Sequence, residues 1–158
     1  FGIFTPDSSI SYEKIWFEHD SFDVIMHDTN PLTREEIIDF DMLKRETFAM
    51  YTQKYKIYFW ILRECQKAGF EPRIALETSQ KDWMLQVAAS NQGIAILPHK
   101  ICQNIKIPDV VSRPLNSKQL FLNLALVWKK GHYLSPAARE FITFSQQEKG
   151  PNGIRISD

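Results

Sequence analysis

The sequence predicts an α/β domain whose mainly parallel sheets are flanked by helices. Short apolar segments typical of buried strands alternate with longer segments that carry a single apolar stripe at helical spacing. Glycine, proline or a capping residue separates most of these segments. Because a strand, a helix and a second strand in succession usually join two parallel strands, this alternation favours parallel sheets.

The first half of the chain is predicted to form three strands and two helices. Strands are expected at 1–4, 22–26 and 48–51, a polar loop at 8–15, a short helix at 40–44 and a long helix ending near 68. The stripe that defines the long helix consists of Ile57, Trp60, Ile61 and Cys65. Gly69 is expected to end this helix as its C-cap.

The second half continues the alternation. Strands are expected at 73–77, 94–98, 110–115 and 120–130, helices between 80 and 92, near 101 and at 137–144, and a loose tail at 148–158. Ser79 with Asp82 resembles a capping box at the start of one helix. Ser135 followed by Pro136 is a strong start for the last helix, since serine caps and proline suits the first helical position.

Gly93 lies where the helix in AASNQGIAILP meets an apolar strand. A helix leaves its last carbonyls unpaired, and a left-handed residue lets the chain turn back over them. We expect Gly93 to take a positive φ for this reason, since a side chain there would cost roughly 1 kcal/mol. The four apolar residues that follow, from Ile94 to Leu97, indicate a strand covered on both faces.

Composition excludes several classes of function. The chain has 158 residues, 44% of them hydrophobic, and 19 basic residues balance 19 acidic ones. This neutral charge argues against a nucleic-acid interface, which needs a basic face. The two cysteines, Cys65 and Cys102, suggest a reducing compartment and buried thiols. No apolar run reaches the length of a membrane span, and the absence of an initiator methionine suggests that the true start is missing.

No motif in the sequence indicates catalysis or a metal. The pairs His19-Asp20 and His27-Asp28 have no third ligand in register. No serine or cysteine is accompanied by an obvious base, and GIAILP has only one glycine, unlike a phosphate-binding loop. We therefore predict no catalytic residue, no metal and no cofactor.

Small polar residues follow three of the predicted strands. Thr5 follows the first, and the helix starts at 52–55 and 78–80 follow two others. In open α/β sheets, ligands bind beyond the carboxyl ends of strands, where helix starts present free N–H groups. These residues are therefore candidates for lining one crevice. The competing interpretation is that their hydroxyls only cap helices.

Four blocks of the sequence together resemble a known family. In family order they are FGIF with DVIMHDTNPL, then IDFDMLKRETFAMY, then GFEPRIALETSQKDWMLQVAASNQGIAILP, and last LALVWKKGHYLSPAAREFITF. They resemble the effector-binding domain of LysR-type transcriptional regulators, which have the fold of type 2 periplasmic binding proteins. The resemblance covers nearly everything from Phe1 to Phe144, and its specificity lies in the order and spacing of the blocks.

The resemblance implies two lobes joined by two crossover strands, with a small and often anionic effector between them. The first lobe would comprise 1–37 and 118–147, the second lobe 38–117, and a tail 148–158. Carried over by position, the effector contacts would be Thr5, Thr52, Gln53, Tyr55, Thr78 and Ser79. The family's amino-terminal helix-turn-helix and the first strands of the first lobe are missing, so the chain resembles an amino-terminally truncated domain with an incomplete first lobe.

Partners and location follow from the same resemblance. The parent protein would be a cytoplasmic homodimer or tetramer that contacts DNA only through the missing helix-turn-helix, with no membrane contact. One alternative is an extracytoplasmic solute-binding protein of the same fold, which an upstream signal segment would favour. Another is an enzyme on a related two-lobed scaffold, which turnover of a small acid or a buried acid/base pair would favour.

Overall fold

The computed structural model describes residues 11–147. The strands are β1 (Tyr12–Asp20), β2 (Phe22–His27), β3 (Thr47–Tyr51), β4 (Arg73–Thr78), β5 (Ile94–Pro98), β6 (Val110–Pro114) and β7 (Leu122–Lys129). The α-helices are α1 (Lys56–Lys67), α2 (Lys81–Ala89), α3 (His99–Cys102) and α4 (Pro136–Gln147), and 3₁₀ helices span Pro31–Arg34 and Phe40–Arg45. The predicted strand at 1–4, the predicted site residue Thr5 and the tail at 148–158 lie outside the described residues.

The chain divides into two compact units. Among the described residues, one consists of residues 11–19 and 122–147, and the other of residues 20–121. This division differs from the predicted lobe boundaries, which placed 20–37 and 118–121 in the first lobe. The reason is strand pairing, because β2 bonds to β5 on one side and to β6 on the other, and both neighbours belong to the larger unit.

The larger unit contains a five-stranded sheet in the order β4-β3-β5-β2-β6. Both neighbours of β3 run parallel to it, as expected for strands joined through α1 and α2. Strand β2 is antiparallel to both β5 and β6. The sheet is therefore mixed. The predicted parallel arrangement holds for β3, β4 and β5, which are joined through helices. Strand β2 precedes the first α-helix in the chain and pairs antiparallel with both of its neighbours.

Apolar side chains on both faces of this sheet form the core. On the face covered by α2 and α3, the buried cluster comprises Ile25, Ala49, Met84, Leu85, Ala88, Ala95, Leu97 and Cys102. Every residue of β5 is buried, which agrees with its uninterrupted apolar sequence. In the α1 stripe Ile57, Ile61 and Cys65 are buried. Each fully buried aliphatic side chain contributes about 1.5–3 kcal/mol to stability.

The two longer helices of this unit end in the same way, through different residues. Gly69 closes α1 with φ 81°, as predicted, and its N–H donates to the carbonyl of Gln66. Helix α2 turns back at Asn91, which takes φ 53° and donates its N–H to the carbonyl of Ala88. The prediction that Gly93 takes this left-handed turn is wrong, since asparagine tolerates the conformation two residues earlier.

Gly93 is required for a different reason. A Cβ built at this position would lie 2.5 Å from the carbonyl oxygen of Thr47 and 3.3 Å from the Cγ1 of Val87. The first contact is with backbone, which cannot rotate away. The glycine therefore permits the close approach of the chain to the start of β3 at the point where β5 begins.

Other local predictions divide according to their capping residues. The Oγ of Ser135 accepts a hydrogen bond from the N–H of Ala138 at 3.2 Å, which confirms the predicted start of α4. Helix α2 begins instead at Lys81 with Gln80 as its N-cap, and no side chain caps it, so the predicted capping box does not form. Strand β1 occupies much of the segment predicted as a polar loop.

The smaller unit contains a two-stranded sheet of β1 and β7, together with α4. Cross-strand side-chain bonds join the two strands, from the Nε1 of Trp128 to Glu13 at 2.8 Å and between His19 and Asn123 at 2.6 Å. These polar pairs add side-chain contacts to the pairing of the two strands. None of the helices between residues 11 and 147 has the length and apolar composition of a membrane span.

Candidate effector-binding site

Strands β3, β4 and β5 run parallel, so their carboxyl ends lie at the same end of the five-stranded sheet. The pairing of Tyr51 with Thr78 places the carboxyl ends of β3 and β4 side by side. The chain stays paired for one more residue, because the N–H of Thr52 donates to the carbonyl of Thr78 at 3.2 Å. The structure therefore brings together Thr52 and Thr78, two of the predicted effector contacts.

The hydroxyl of Thr52 is buried without a hydrogen-bond partner. It is the only buried side-chain nitrogen or oxygen in the described part of the chain with this property. A buried polar group that forms no hydrogen bond costs about 1–3 kcal/mol. This hydroxyl lies at the carboxyl end of a strand, immediately before a helix, which makes it a candidate for a ligand contact.

The hydroxyl of Thr78 already has a local role. Its Oγ1 accepts the N–H of Gln80 at 3.1 Å, so it supports the turn into α2. The side chains of Gln53 and Ser79 are exposed at the same edge of the sheet. Of the predicted contacts, Thr78 thus supports the turn into α2 and also lies beside Thr52, whereas Gln53 and Ser79 are exposed to solvent.

Two tyrosines flank Thr52. The rings of Tyr51 and Tyr55 lie 5.5 Å apart with an interplanar angle of 47°. Tyr55 is the N-cap of α1, its N–H donates to the carbonyl of Thr52 at 3.0 Å, and its side chain is 41% exposed. Burial raises the pKa of Tyr51, with smaller contributions from the neighbouring Tyr55 and Cys102. Tyr51 is therefore a neutral phenol, and Tyr55 presents an aromatic face to solvent.

The sequence interpretation missed a polar pair at the carboxyl end of β5. The Nδ1 of His99 lies 2.9 Å from both carboxylate oxygens of Asp23, which is buried in β2. The Nε2 of His99 lies 2.9 Å from the amide nitrogen of Gln103. The position of His99 directly after the strand IAILP was the available signal. No local motif pairs this histidine with Asp23, because the two residues are 76 positions apart in the sequence.

Two cavities in the larger unit lie apart from these residues. One, of about 450 Å³, is lined by Asp39, Phe40, Asp41, Glu64, Lys67, Ala68, Asn116, Ser117, Lys118 and Gln119. The other, of about 150 Å³, is lined by Asn30, Arg45, Glu46, Thr47, Asn91, Gln92 and Gly93. Neither lining includes a predicted effector contact.

Metal and thiol chemistry find no support in the described residues. Between 11 and 147, no group of three or more His, Cys, Asp and Glu side chains is arranged to hold a metal. Both cysteines are buried, and burial raises the pKa of Cys65 and of Cys102 to about 12. A thiol with such a pKa carries almost no thiolate at neutral pH, so neither is an activated nucleophile.

Comparison with known proteins identifies the family. A family model described as the LysR substrate binding domain matches residues 2–150. This chain belongs to the LysR substrate-binding domain family. The match confirms the resemblance drawn from the four sequence blocks.

Known relatives of this LysR domain are regulators of transcription. The HTH-type transcriptional regulator YwbI of Bacillus subtilis is 34% identical over 119 residues, which cover 75% of this chain and 40% of that protein. The transcriptional dual regulator GltC of the same organism is 20% identical over 115 residues, or 73% of this chain and 38% of that protein. The chain thus spans about two fifths of the length of these regulators.

Solved structures confirm the fold. The regulatory domain of Synechocystis CcmR, in complex with 2-PG, has a TM-score of 0.79 at 16% identity and covers 94% of this chain and 72% of that one. The effector-binding domain of BenM, with its effector benzoate, has a TM-score of 0.69 at 15% identity and covers 99% and 73%. The two-lobed, periplasmic-binding-protein-like fold class is therefore confirmed.

The chain is an effector-sensing domain of the LysR type. Its relatives are helix-turn-helix regulators, which favours this interpretation over the extracytoplasmic solute-binding alternative. Members of this family regulate transcription and are not, in general, enzymes.

Proposed function

We propose that this domain binds a small anionic metabolite at the carboxyl ends of β3 and β4, and that its parent protein uses this binding to modulate transcription. Two structural neighbours are described with small carboxylates, benzoate in BenM and shikimate in QuiR. The start of α1 supports an anion here, since free N–H groups and the helix dipole favour negative charge.

The buried, unpartnered hydroxyl of Thr52 carries this proposal. A carboxylate oxygen would accept its hydrogen bond and remove the cost of leaving it unpaired. Thr78 would contribute its hydroxyl from the adjacent strand, with Gln53 and Ser79 at the rim and the ring of Tyr55 as one wall. Thr5 lies outside the described residues and stays a predicted contact.

The parent protein would act as an oligomer. The effector favours whichever arrangement of the protein binds it more tightly, and only this difference in affinity shifts the equilibrium. DNA contact would come from an amino-terminal helix-turn-helix in a homodimer or tetramer, in the cytoplasm where the DNA lies. In this proposal the domain has no catalytic role, and turnover of a bound acid would contradict it.

The test compares Thr52→Val with Thr143→Val. Valine replaces the hydroxyl by a methyl group of the same size, and Thr143 is an exposed residue of α4 whose hydroxyl bonds only to the carbonyl of Arg139. A panel of metabolite acids that includes benzoate and shikimate is screened for melting shifts and then titrated calorimetrically. We expect Thr52→Val to weaken binding of each hit by about tenfold or more, which corresponds to roughly 1.4 kcal/mol, and Thr143→Val to leave it unchanged. Unaltered affinity in Thr52→Val would show that the site lies elsewhere.

A further inference from the structure

The larger of the two cavities, of about 450 Å³, lies away from the candidate effector site. Its walls are the end of α1, the 3₁₀ helix Phe40–Arg45 with the preceding Asp39, and residues 116–119. Helix α1 has 12 residues and is therefore about 18 Å long, and the candidate effector site lies at its other end. Small-molecule sites typically have volumes of roughly 300–1,000 Å³, so this cavity has room for a ligand of its own.

Hydrogen bonds between distant segments hold the walls of this cavity in place. The Nδ2 of Asn116 donates to the Oδ1 of Asp39 at 2.7 Å, across 77 positions of the sequence. The Nζ of Lys67, near the end of α1, donates to the Oε1 of Gln119 at 2.6 Å. Because these bonds join all three walls, the cavity is formed in the protein without a ligand. A preformed site binds more tightly, since less conformational freedom is lost on binding.

Charges of both signs line this cavity without a charged partner. Asp41 and Lys118 are exposed and lie on two different walls, and neither forms an ion pair with any residue between 11 and 147. Lys67, in contrast, is paired with Glu64 at 2.8 Å. A ligand that carries both charges can complement Asp41 and Lys118 together, whereas a singly charged ligand leaves one of them without a partner.

The rest of the lining suits an ammonium group on a short carbon chain. Asp39 is half-buried, and its carboxylate can accept hydrogen bonds in addition to the one from Asn116. An ammonium group has three donors, so it can bond to Asp39 and Asp41 at once. Phe40, which is only 8% exposed, and Ala68 supply apolar surface between the charged groups.

We propose that this cavity is a second ligand site of the domain and that it binds a small amino acid. The ammonium group of the ligand binds Asp41 and Asp39, its carboxylate binds Lys118, and its carbon chain packs on Phe40. This inference does not rest on the proposed effector site, because the two sites share no residue.

Four compounds of equal carbon number test the proposal. Norvaline and 5-aminopentanoate are isomers that carry both charges at different separations, whereas pentylammonium carries only the positive charge and pentanoate only the negative one. Each is titrated into the ¹⁵N-labelled domain at neutral pH and constant ionic strength, following the backbone amides of Asp41, Ala68 and Asn116. We expect at least one of the isomers to shift these amides and to bind at least threefold more tightly than both singly charged compounds. The tighter isomer identifies the separation of the charges.

Two results would overturn the proposal. One is a singly charged compound that binds at these amides as tightly as either isomer. The other is the absence of shifts at Asp41 and Asn116 with all four compounds. Shifts confined to the amides of Thr52 and Thr78 would place the ligands at the effector site alone, so they would overturn the second site and leave the proposed function standing.

Variants of the two unpaired charges give an independent readout. Asp41→Asn and Lys118→Gln each remove one charge from an exposed side chain, and each should weaken the tighter isomer at least threefold. In Lys118→Gln the preference over pentylammonium should disappear. Asp109→Asn and Lys106→Gln remove the same charges from exposed residues outside the cavity and should leave the affinity unchanged. Equal losses in the cavity variants and these controls would show an effect of net charge alone and would overturn the assignment.

Discussion

Replacing Thr52 by valine should make the effector-free protein more stable while it weakens effector binding. The Oγ1 of Thr52 is buried and unpartnered, and valine substitutes a methyl group for it with almost no change of shape. The substitution removes the cost of burying an unpaired hydroxyl and breaks no hydrogen bond. Functional sites commonly hold such unfavourable groups, which is why stabilising substitutions there reduce function.

The expected change in the free energy of unfolding can be compared with that of the same substitution at the neighbouring Thr78. An unsatisfied buried hydroxyl costs about 1–3 kcal/mol. We take the lower end, about 1 kcal/mol, as the stability gained in Thr52→Val, because the surrounding side chains are packed around a hydroxyl and do not repack around the methyl group. Thr78→Val removes the same chemical group but breaks its bond to the N–H of Gln80, which should cost about 1 kcal/mol. Two chemically identical substitutions on adjacent strands should therefore change stability by similar amounts in opposite directions.

Urea unfolding of the effector-free domain measures both variants. With a slope of about 2 kcal/mol per molar urea, each change shifts the midpoint by about 0.5 M, upward for Thr52→Val and downward for Thr78→Val. The comparison requires the slope to stay constant. If Thr52→Val lowers the midpoint as far as Thr78→Val does, its hydroxyl has a partner in solution, and the reasoning from an orphaned group is wrong.

Two further predictions concern stability and reactivity. Gly93→Ala should destabilise the domain by about 3 kcal/mol, because the new Cβ meets the carbonyl of Thr47 at 2.5 Å, whereas Gly69→Ala meets no atom within 4 Å and should cost only about 1 kcal/mol for its positive φ. Equal urea midpoints for the two variants would exclude the close approach as the reason for Gly93. Cys65 and Cys102 should resist alkylation at pH 8 until the protein unfolds, since burial raises both pKa values to about 12. Unfolded thiols titrate near pH 8.5 and the folded thiols only at higher pH, so the free energy of unfolding should fall as the pH rises from about 9 to 12. The double variant Cys65→Ala, Cys102→Ala should show a smaller fall. An unchanged fall in the double variant would contradict the assignment.

Local patterns in the sequence anticipated much of the fold and the adjacency of two candidate contact residues. The stripe of α1, its closure at Gly69 and the Ser135 cap depend on residues within one or two turns of each other, and all three are present. Thr52 and Thr78 were predicted to lie at the same end of the sheet, and they do, because parallel strands that alternate with helices all finish at that end.

The misses involve partners distant in sequence. Gly93 was assigned to a turn, although its constraint comes from the carbonyl of Thr47, 46 positions away. His99 was overlooked because its partner, Asp23, lies 76 residues earlier. The predicted lobe boundaries differ from the two compact units for a related reason, because β2 pairs with β5 and β6, which lie far from it in the chain.

Residue order alone was enough to predict the α/β class and the LysR family, because these depend on periodicity, composition and the order of the sequence blocks. Only the tertiary structure decided that the hydroxyl of Thr52 is buried without a partner, that the imidazole of His99 contacts Asp23, and that no side chain fits at Gly93. Burial and the direction of hydrogen bonds depend on which distant segments meet, and those contacts exist only after the strands have assembled.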